Sequence, residues 1–211
     1  MIELYAITDS PPPALPDAPR LVAVGAGGLA AVCAPANDDG DDLSPERLWR
    51  HAEVVESLMA ERDLLPVRYG TRLEDEAAAA RTLETRHGEL VDALDRVRGA
   101  VELSVRVAGD PATDSFDSAA ESGADYMRAR ARTAAARERA RRDVHEPLSS
   151  LARESVERPA YGTPELLRGA YLVDRDAVGG FVRLVAHLER AHPALRMLCT
   201  GPWAPYSFAG R

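Results

Sequence analysis

The side chains of this 211-residue chain that could do chemistry are few, and none stands in a catalytic spacing. His51 and His87 fall in predicted helices without a visible nucleophile partner, where histidines are more often packed or solvated than catalytic. Cys33 and Cys199 are far apart and each ends an apolar run, which predicts buried free thiols. The acidic run 37–42 lacks the alternating ligands and closing glutamate of an EF-hand, so we expect a solvated loop. The sequence therefore predicts no catalytic residue, no cofactor site and no metal site.

The charge pattern excludes several classes of function. Every one of the 26 basic residues is arginine, which rules out Schiff-base lysines, a catalytic ammonium group and a P-loop lysine. The formal net charge of −8 disfavours general binding to nucleic acid. No apolar run approaches the length of a membrane span and no secretory leader is visible, so we expect a cytoplasmic protein that does not bind membranes.

A long helix is predicted from about Asp117 to Glu157, with a kink or break at Pro147. Its middle is dense in arginine, which allows two interpretations. The helix could bind phosphate or RNA, or it could be an exposed helix whose arginines pair with neighbouring carboxylates. Because aromatic residues are not interleaved with the arginines, the second interpretation is favoured.

The remaining pattern predicts an α+β chain of two domains, with a boundary near 70–74. The first half is predicted to run β-β-β-α-β, and its helix begins with Ser44 as the cap and Pro45 at the first position. From Leu73 to Val97, apolar residues recur at spacings of three and four, which predicts a coiled-coil-like helix of about 24 residues. The second half is predicted to run β-α-β-α-β, the order expected of a split βαβ layer.

The C-terminal segment 201–208 concentrates rare residue types. Trp203, Tyr206 and Phe208 are interleaved with two prolines, which stiffen the backbone and exclude a regular helix. Large rings on a stiff backbone lose little entropy on packing. The segment could therefore dock on its own domain or form a surface for a partner.

Nearly the whole chain resembles the family of gas vesicle accessory proteins of the F/L type, GvpF/GvpL. The resemblance rests on several short sequence blocks that occur in the same order as in the family. The most specific block is the terminal 200–208, in which Ala204 replaces the first of two prolines that usually follow the tryptophan. The other matching blocks are Leu4–Ile7, the helix with His51 and Val54–Glu56, Leu65–Thr71, Ser122–Arg128 and Ala170–Asp174.

The resemblance implies a ferredoxin-like α+β domain over 1–71 and a helix-rich α+β domain over 72–211 with long coiled-coil-like helices and the aromatic tail. It also implies a non-enzymatic accessory or minor structural protein of gas vesicle formation. Such a protein would bind the hydrophobic main shell protein and other gas vesicle accessory proteins, assist nucleation or assembly of the shell, and reside in the cytoplasm or the vesicle. The family carries no established catalytic residues.

The residues of the partner surface are a separate hypothesis. Arg68 and Tyr69, together with Trp203, Tyr206 and Phe208, are of the types that dominate protein interfaces. The same five residues could equally hold the two domains together. Two other functions stay open at this point: a ferredoxin-like regulatory domain that binds a small ligand, and a nucleic-acid binder that uses the arginine-rich helix.

Overall fold

A computed structural model describes residues 1–12, 14–15, 20–36, 44–109, 123–158 and 165–210. Residue contacts divide the chain into two units. Unit 1 comprises Met1–Val101 together with the C-terminal residues from Trp203 onward, and unit 2 comprises Glu102–Pro202. The division falls within a strand, whereas the sequence placed the boundary near 70–74. The acidic run 37–42 lies outside the described residues.

Unit 1 is built on a five-stranded sheet in which β2, β3, β1 and β4 lie side by side and β5 also pairs with β1. The pairs that involve β1, and the β2–β3 hairpin, are antiparallel. Gly27 and Gly28 form the two-residue hairpin turn with φ of 60° and 86°, values that glycine adopts without strain. The strands are β1 (Ile2–Thr8), β2 (Val22–Ala26), β3 (Leu29–Pro35), β4 (Leu65–Pro66) and β5 (Arg72–Leu73).

The first helix of unit 1 begins as predicted. In α1 (Pro45–Glu61) the Ser44 hydroxyl accepts a hydrogen bond from the Arg47 amide at 3.3 Å, and Pro45 occupies the first position. This helix contributes the buried side chains of Val54, Val55 and Leu58 to the core. The described chain order of unit 1 thus opens β-β-β-α-β, as the residues predicted. It differs from the β-α-β-β-α-β order of the ferredoxin-like domain that the family resemblance implied for this half.

The coiled-coil-like helix predicted over 73–97 is wrong. The segment forms β5 and then two short helices, α2 (Glu76–Thr85) and α3 (His87–Val97). The Thr82 and Thr85 hydroxyls donate back to the Ala78 and Arg81 carbonyls at 2.8 Å, a bond that competes with the helix backbone, and Gly88 follows. The buried side chains of the predicted seam, Leu83, Leu90, Leu94 and Val97, are therefore divided between two helices.

Unit 2 has the chain order β-α-β-β-α-β and a four-stranded sheet with the spatial order β7-β8-β6-β9. This is the ferredoxin-like arrangement. It contains one strand, β7, more than the β-α-β-α-β order predicted for the second half. Its core joins β6 and β8 to the helices through residues such as Val105, Leu148 and Phe181. The elements are β6 (Ala100–Gly109), α4 (Gly123–Ala140), α5 (Glu146–Ser149), β7 (Glu154–Arg158), β8 (Glu165–Asp174), α6 (Val178–Ala191) and β9 (Leu195–Trp203).

The long helix predicted to end at Glu157 is shorter. Helical structure runs from Gly123 to Ser149, and 154–158 instead forms β7, which pairs antiparallel with β8. Between α4 and α5 lies a π-helical turn, Arg141–His145, in which the Glu146 amide donates to the Arg141 carbonyl. This wider turn directly precedes Pro147 and relieves the clash that a proline ring makes with the preceding helical turn. The predicted start, 117–122, lies outside the described residues.

Within the described residues, no helix combines the length and apolar character needed to cross a lipid bilayer.

Candidate functional site

His51 is buried at the centre of a cluster of polar and aromatic side chains in unit 1. Its imidazole stacks on the Tyr5 ring at 4.7 Å between centroids and meets the edge of the Tyr69 ring at 5.5 Å. Nε2 lies 2.9 Å from the Val67 carbonyl, and because a carbonyl only accepts, Nε2 donates this hydrogen bond. Nδ1 lies 3.3 Å from Glu3 Oε1. We call these residues the His51 cluster: Glu3, Tyr5, His51, Val67 and Tyr69.

The backbone of β1 explains why two of its side chains reach His51. Glu3 and Tyr5 are two residues apart on a strand, which places them on one face. The β1–β3 register shifts between Leu4 and Ala6, so Tyr5 occupies an irregularity of the kind that redirects a side chain. Burial raises the pKa of the Tyr5 hydroxyl, and the Glu3 carboxylate raises it further. Tyr5 thus stays protonated at neutral pH, and the cluster fastens α1 to the sheet.

The His51 cluster also supports the turn that carries Arg68. The Val67 amide donates to the Tyr5 carbonyl at 2.9 Å, and the Thr71 amide donates to the Arg68 carbonyl at 3.1 Å. Gly70 has a φ of 78°, a value that favours glycine at the third position of a tight turn. Arg68 is exposed at this turn, while Tyr69 is half-buried against His51.

The tail residues predicted as a site fall into two groups. Phe208 is fully buried, and Ala204 and Pro205, which precede it by four and three positions in the sequence, are buried as well. The Phe208 amide donates to the Pro205 carbonyl at 3.0 Å, which closes a turn that turns the ring inward. Trp203 and Tyr206, by contrast, keep 42% and 37% of their surface exposed. Burial raises the pKa of Tyr206 to about 12, and the Glu56 carboxylate on α1 adds to the shift.

A third exposed aromatic residue was not singled out from the sequence. Trp49 on α1 has 68% of its surface exposed and lies two helical turns before Glu56, on the same side of the helix. The Glu56 carboxylate on this side of α1 also acts electrostatically on Tyr206 and raises its pKa. A tryptophan on the polar face of an amphipathic helix was the available signal. We call Trp49, Trp203 and Tyr206 the exposed aromatic group.

His87 has a structural contact, as its lone position suggested. Its Nε2 donates to the Gly27 carbonyl of the hairpin turn at 2.9 Å. The ring lies beside a cleft of about 180 Å³ in unit 1, across which Arg98 reaches Asp9 at 3.2 Å and Asp95 at 2.9 Å. This volume is below the roughly 300–1,000 Å³ of small-molecule sites, so the cleft does not support the ligand-binding alternative.

Unit 2 contains a buried chain of hydrogen bonds that the sequence did not reveal. His145 Nδ1 lies 2.9 Å from the Tyr171 hydroxyl and Nε2 lies 3.2 Å from Ser149 Oγ, which is 3.0 Å from Ser155 Oγ. The i, i+4 spacing of His145 and Ser149 was the only sequence signal. The chain joins the π-helical turn and α5 to β7 and β8, so it cross-links the unit.

The His145 chain predicts a pH dependence of unit 2. Burial lowers the pKa of His145, with the Arg141 guanidinium acting in the same direction and Glu157 and Glu146 opposing it. The neutral imidazole is therefore favoured in the folded state, so its contribution to stability is complete above the unfolded pKa of about 6.5. That contribution is lost as the pH falls from about 6.5 through the lowered pKa. We expect the melting temperature of unit 2 to fall by a few degrees between about pH 7.5 and 5.5.

His145→Gln tests this dependence. The variant should be less stable at neutral pH but should show a flatter dependence over the same range. His187→Gln, which replaces an exposed histidine on α6, should keep the wild-type dependence. An unchanged pH profile in His145→Gln would exclude His145 as the titrating group.

These features define a class: a two-unit α+β protein in which the histidines described above serve structural contacts and several large aromatic side chains of unit 1 are exposed. Comparison with known proteins identifies the family to which the chain belongs. The family model "Gas vesicle synthesis protein GvpL/GvpF" matches residues 3–210. Gas vesicle protein L of Streptomyces sp. (strain CB03234) is 37% identical over 181 residues, which is 76% of this chain and 67% of that protein. Gas vesicle protein F of the same strain is 29% identical over 97% of this chain and 98% of its own length.

Solved structures share the fold. The crystal structure of the gas vesicle protein GvpF from Anabaena sp. PCC7120 superposes with a TM-score of 0.83 at 20% identity, covering 99% of this chain and 97% of that chain. GvpF from Microcystis aeruginosa gives a TM-score of 0.76 at 18% identity, covering 99% and 98%. The chain belongs to the GvpF/GvpL family of gas vesicle synthesis proteins, and the family predicted from the sequence is confirmed.

Proposed function

We propose that this protein is a non-enzymatic accessory protein of gas vesicle formation that binds the hydrophobic main shell protein through the exposed aromatic group of unit 1. The observation that carries the proposal is the exposure of Trp49, Trp203 and Tyr206 in a unit whose tail is already anchored by Phe208. Trp and Tyr are the side chains that most often dominate binding energy at protein interfaces. Arg68 is exposed in the same unit and extends the set of candidate contacts.

The physical need for such a surface follows from the proposed partner. A small apolar shell subunit aggregates unless its apolar surface is covered before it assembles. Aromatic side chains on stiff supports can cover it at low entropic cost, because few rotatable bonds are frozen on binding. Trp203 follows Pro202, Tyr206 follows Pro205, and Trp49 projects from a regular helix. All three rings are therefore held by stiff or regular backbone.

The test is co-expression of the tagged chain with the main shell protein, followed by quantitation of the shell protein that the tag captures. The double variant Trp49→Ala/Trp203→Ala should lower capture by at least about tenfold, which corresponds to about 1.4 kcal/mol. A matched variant, Val182→Ala/Leu198→Ala, removes two exposed apolar side chains of unit 2 and should capture as much as the wild type. If the tryptophan variant folds normally and captures the shell protein fully, the proposal is wrong.

A further inference from the structure

The arginines of α4 and the following turn form a charged surface on unit 2 that the proposed shell-protein contact does not use. Residues 123–142 contain seven arginines against Asp125 and Glu138, a formal charge of +5 in a chain of −8. The rest of the chain therefore carries −13. The seven arginines are Arg128, Arg130, Arg132, Arg137, Arg139, Arg141 and Arg142, and all of them are exposed.

The helix α4 uses only a narrow stripe for its own unit. Ala129, Thr133, Ala136 and Ala140 recur at spacings of four, three and four and are the residues of α4 that are not exposed. Ala136 and Ala140 pack against the core of unit 2. A stripe of this period lies along one side of a helix. The remaining circumference of α4 faces solvent.

The exposed residues of α4 are arranged in rows by residue type. At about 100° per residue, Arg130, Arg137 and Arg141 align along one flank of the buried stripe, and Arg128, Arg132 and Arg139 align along the other. Between the two rows, opposite the buried stripe, lie exposed residues that are mostly small or apolar: Met127, Ala131, Ala134, Ala135 and the single acidic Glu138.

Contacts within α4 hold the side chain of Arg130 in place. The Arg130 guanidinium lies 5.8 Å from the centroid of the Tyr126 ring and donates to its hydroxyl at 3.3 Å. Tyr126 and Met127 keep 52% and 64% of their surface exposed. Further along, Arg141 pairs with Glu146 at 3.2 Å and Arg142 pairs with Asp143 at 2.9 Å. Arg128 in the other row likewise pairs with Asp125 at 2.7 Å. The part of this face that α4 itself carries spans Gly123–Ala140.

We propose that this face of α4 docks an acidic amphipathic helix of a partner protein. A stripe of small side chains lets two helix backbones approach closely, and cations along both edges select acidic residues that flank the partner's apolar stripe. The 18 residues of α4 span about 27 Å, enough for a partner helix of similar length. We call this surface the arginine-flanked face.

Two other occupants fit the same residues less well. An RNA longer than this helix would extend over a chain that is otherwise strongly acidic, and a phosphate backbone has no use for an apolar stripe. A membrane-surface helix inserts large apolar side chains, whereas the stripe here consists of three alanines, one methionine and the acidic Glu138. Both occupants become outcomes of the test.

The probe is a fluorescent synthetic helix of about 20 residues with alanine and leucine on one face and glutamate on both flanks. We expect micromolar binding at about 150 mM salt that weakens as salt is raised. A matched peptide with glutamine in place of glutamate should bind at least about tenfold more weakly.

The variant Arg130→Glu/Arg132→Glu removes one cation from each row and should weaken binding at least about tenfold. Arg183→Glu/Arg190→Glu, on exposed positions of α6, makes the same charge change and should alter binding by less than about twofold. Equal melting temperatures of the two variants confirm that α4 is intact. The assay contains no shell protein, so its outcome is independent of the shell-binding proposal.

Three results would overturn the inference. The acidic peptide could fail to bind, or it could bind the α4 variant as well as the wild type. Single-stranded RNA or anionic phospholipid vesicles could bind more tightly than the peptide in a way that the α4 variant abolishes. Finally, salt-sensitive self-association that the α4 variant abolishes, without peptide binding, would assign the face to a second copy of the chain.

Discussion

Replacing Phe208 by alanine is expected to destabilise unit 1 by roughly 3–5 kcal/mol, the range for truncating a buried aromatic ring. The ring is fully buried, and it is held by a turn in which the Phe208 and Ala209 amides both donate to the Pro205 carbonyl at 3.0 Å. The loss should appear as faster hydrogen exchange in β1 and α1, because these elements belong to the unit that the tail completes. Exchange is the appropriate measurement, since a chain with two units need not unfold in one step.

Tyr206→Ala is the matched control. It removes a ring of similar size from the same turn, but this ring is partly exposed, so the expected loss is clearly smaller, about 1 kcal/mol. The two variants separate anchoring of the tail from presentation of its exposed rings. Equal exchange rates in both variants would show that Phe208 does not anchor the tail.

Gly169→Ala should be the most damaging small substitution in unit 2. A β-carbon at this position would lie 2.6 Å from the Tyr171 hydroxyl oxygen and 2.7 Å from two ring carbons, so the ring must move. Tyr171 is fully buried and bonded to His145, and its ring packs 5.2 Å from that of Phe181. Overpacking together with loss of the hydrogen bond predicts a destabilisation of roughly 2–4 kcal/mol. We expect this loss to appear as a lower melting temperature of unit 2 in a thermal scan.

The control for this prediction is Gly180→Ala in α6. The nearest atom to its added β-carbon is Arg183 Nη2 at 3.9 Å, the end of a flexible side chain. Alanine in a helix is favoured over glycine by about 0.5–1 kcal/mol, so this variant should be as stable as the wild type or more stable. If Gly169→Ala melts at the same temperature as Gly180→Ala, the Tyr171 ring is not confined as described.

Local signals in the sequence predicted the elements whose cause is local. Ser44 before Pro45 marks the start of α1, and the helix begins there as predicted. The seam over 73–97 was misread because a period of three and four is shared by a coiled coil and by short helices packed on a sheet. The break falls at Arg86, whose φ of −107° and ψ of 17° lie outside the helical range, directly after two threonines whose hydroxyls bond to helix carbonyls.

The sequence predicted only part of the candidate site. The unusual composition of the tail identified Trp203, Tyr206 and Phe208, but only burial distinguishes the anchoring Phe208 from the two exposed rings. Trp49 was missed although the helix pattern places it off the apolar stripe, and its 68% exposure is what draws attention to it. His145 was missed because its main partner, Tyr171, is 26 positions away in the chain.

The assignment of the tail to unit 1 has a consequence for how the chain is made. Unit 2 is in effect an insertion between the two parts of unit 1, since residues from Trp203 onward rejoin a unit that is otherwise finished at Val101. A ribosome releases the chain from its N-terminus, so residues 1–101 and most of unit 2 emerge before Phe208 is available to complete unit 1. During that interval unit 1 lacks the Phe208 ring, which is fully buried in the finished chain. Slow translation or premature termination within unit 2 would prolong this vulnerable state and favour aggregation or proteolysis of the nascent chain.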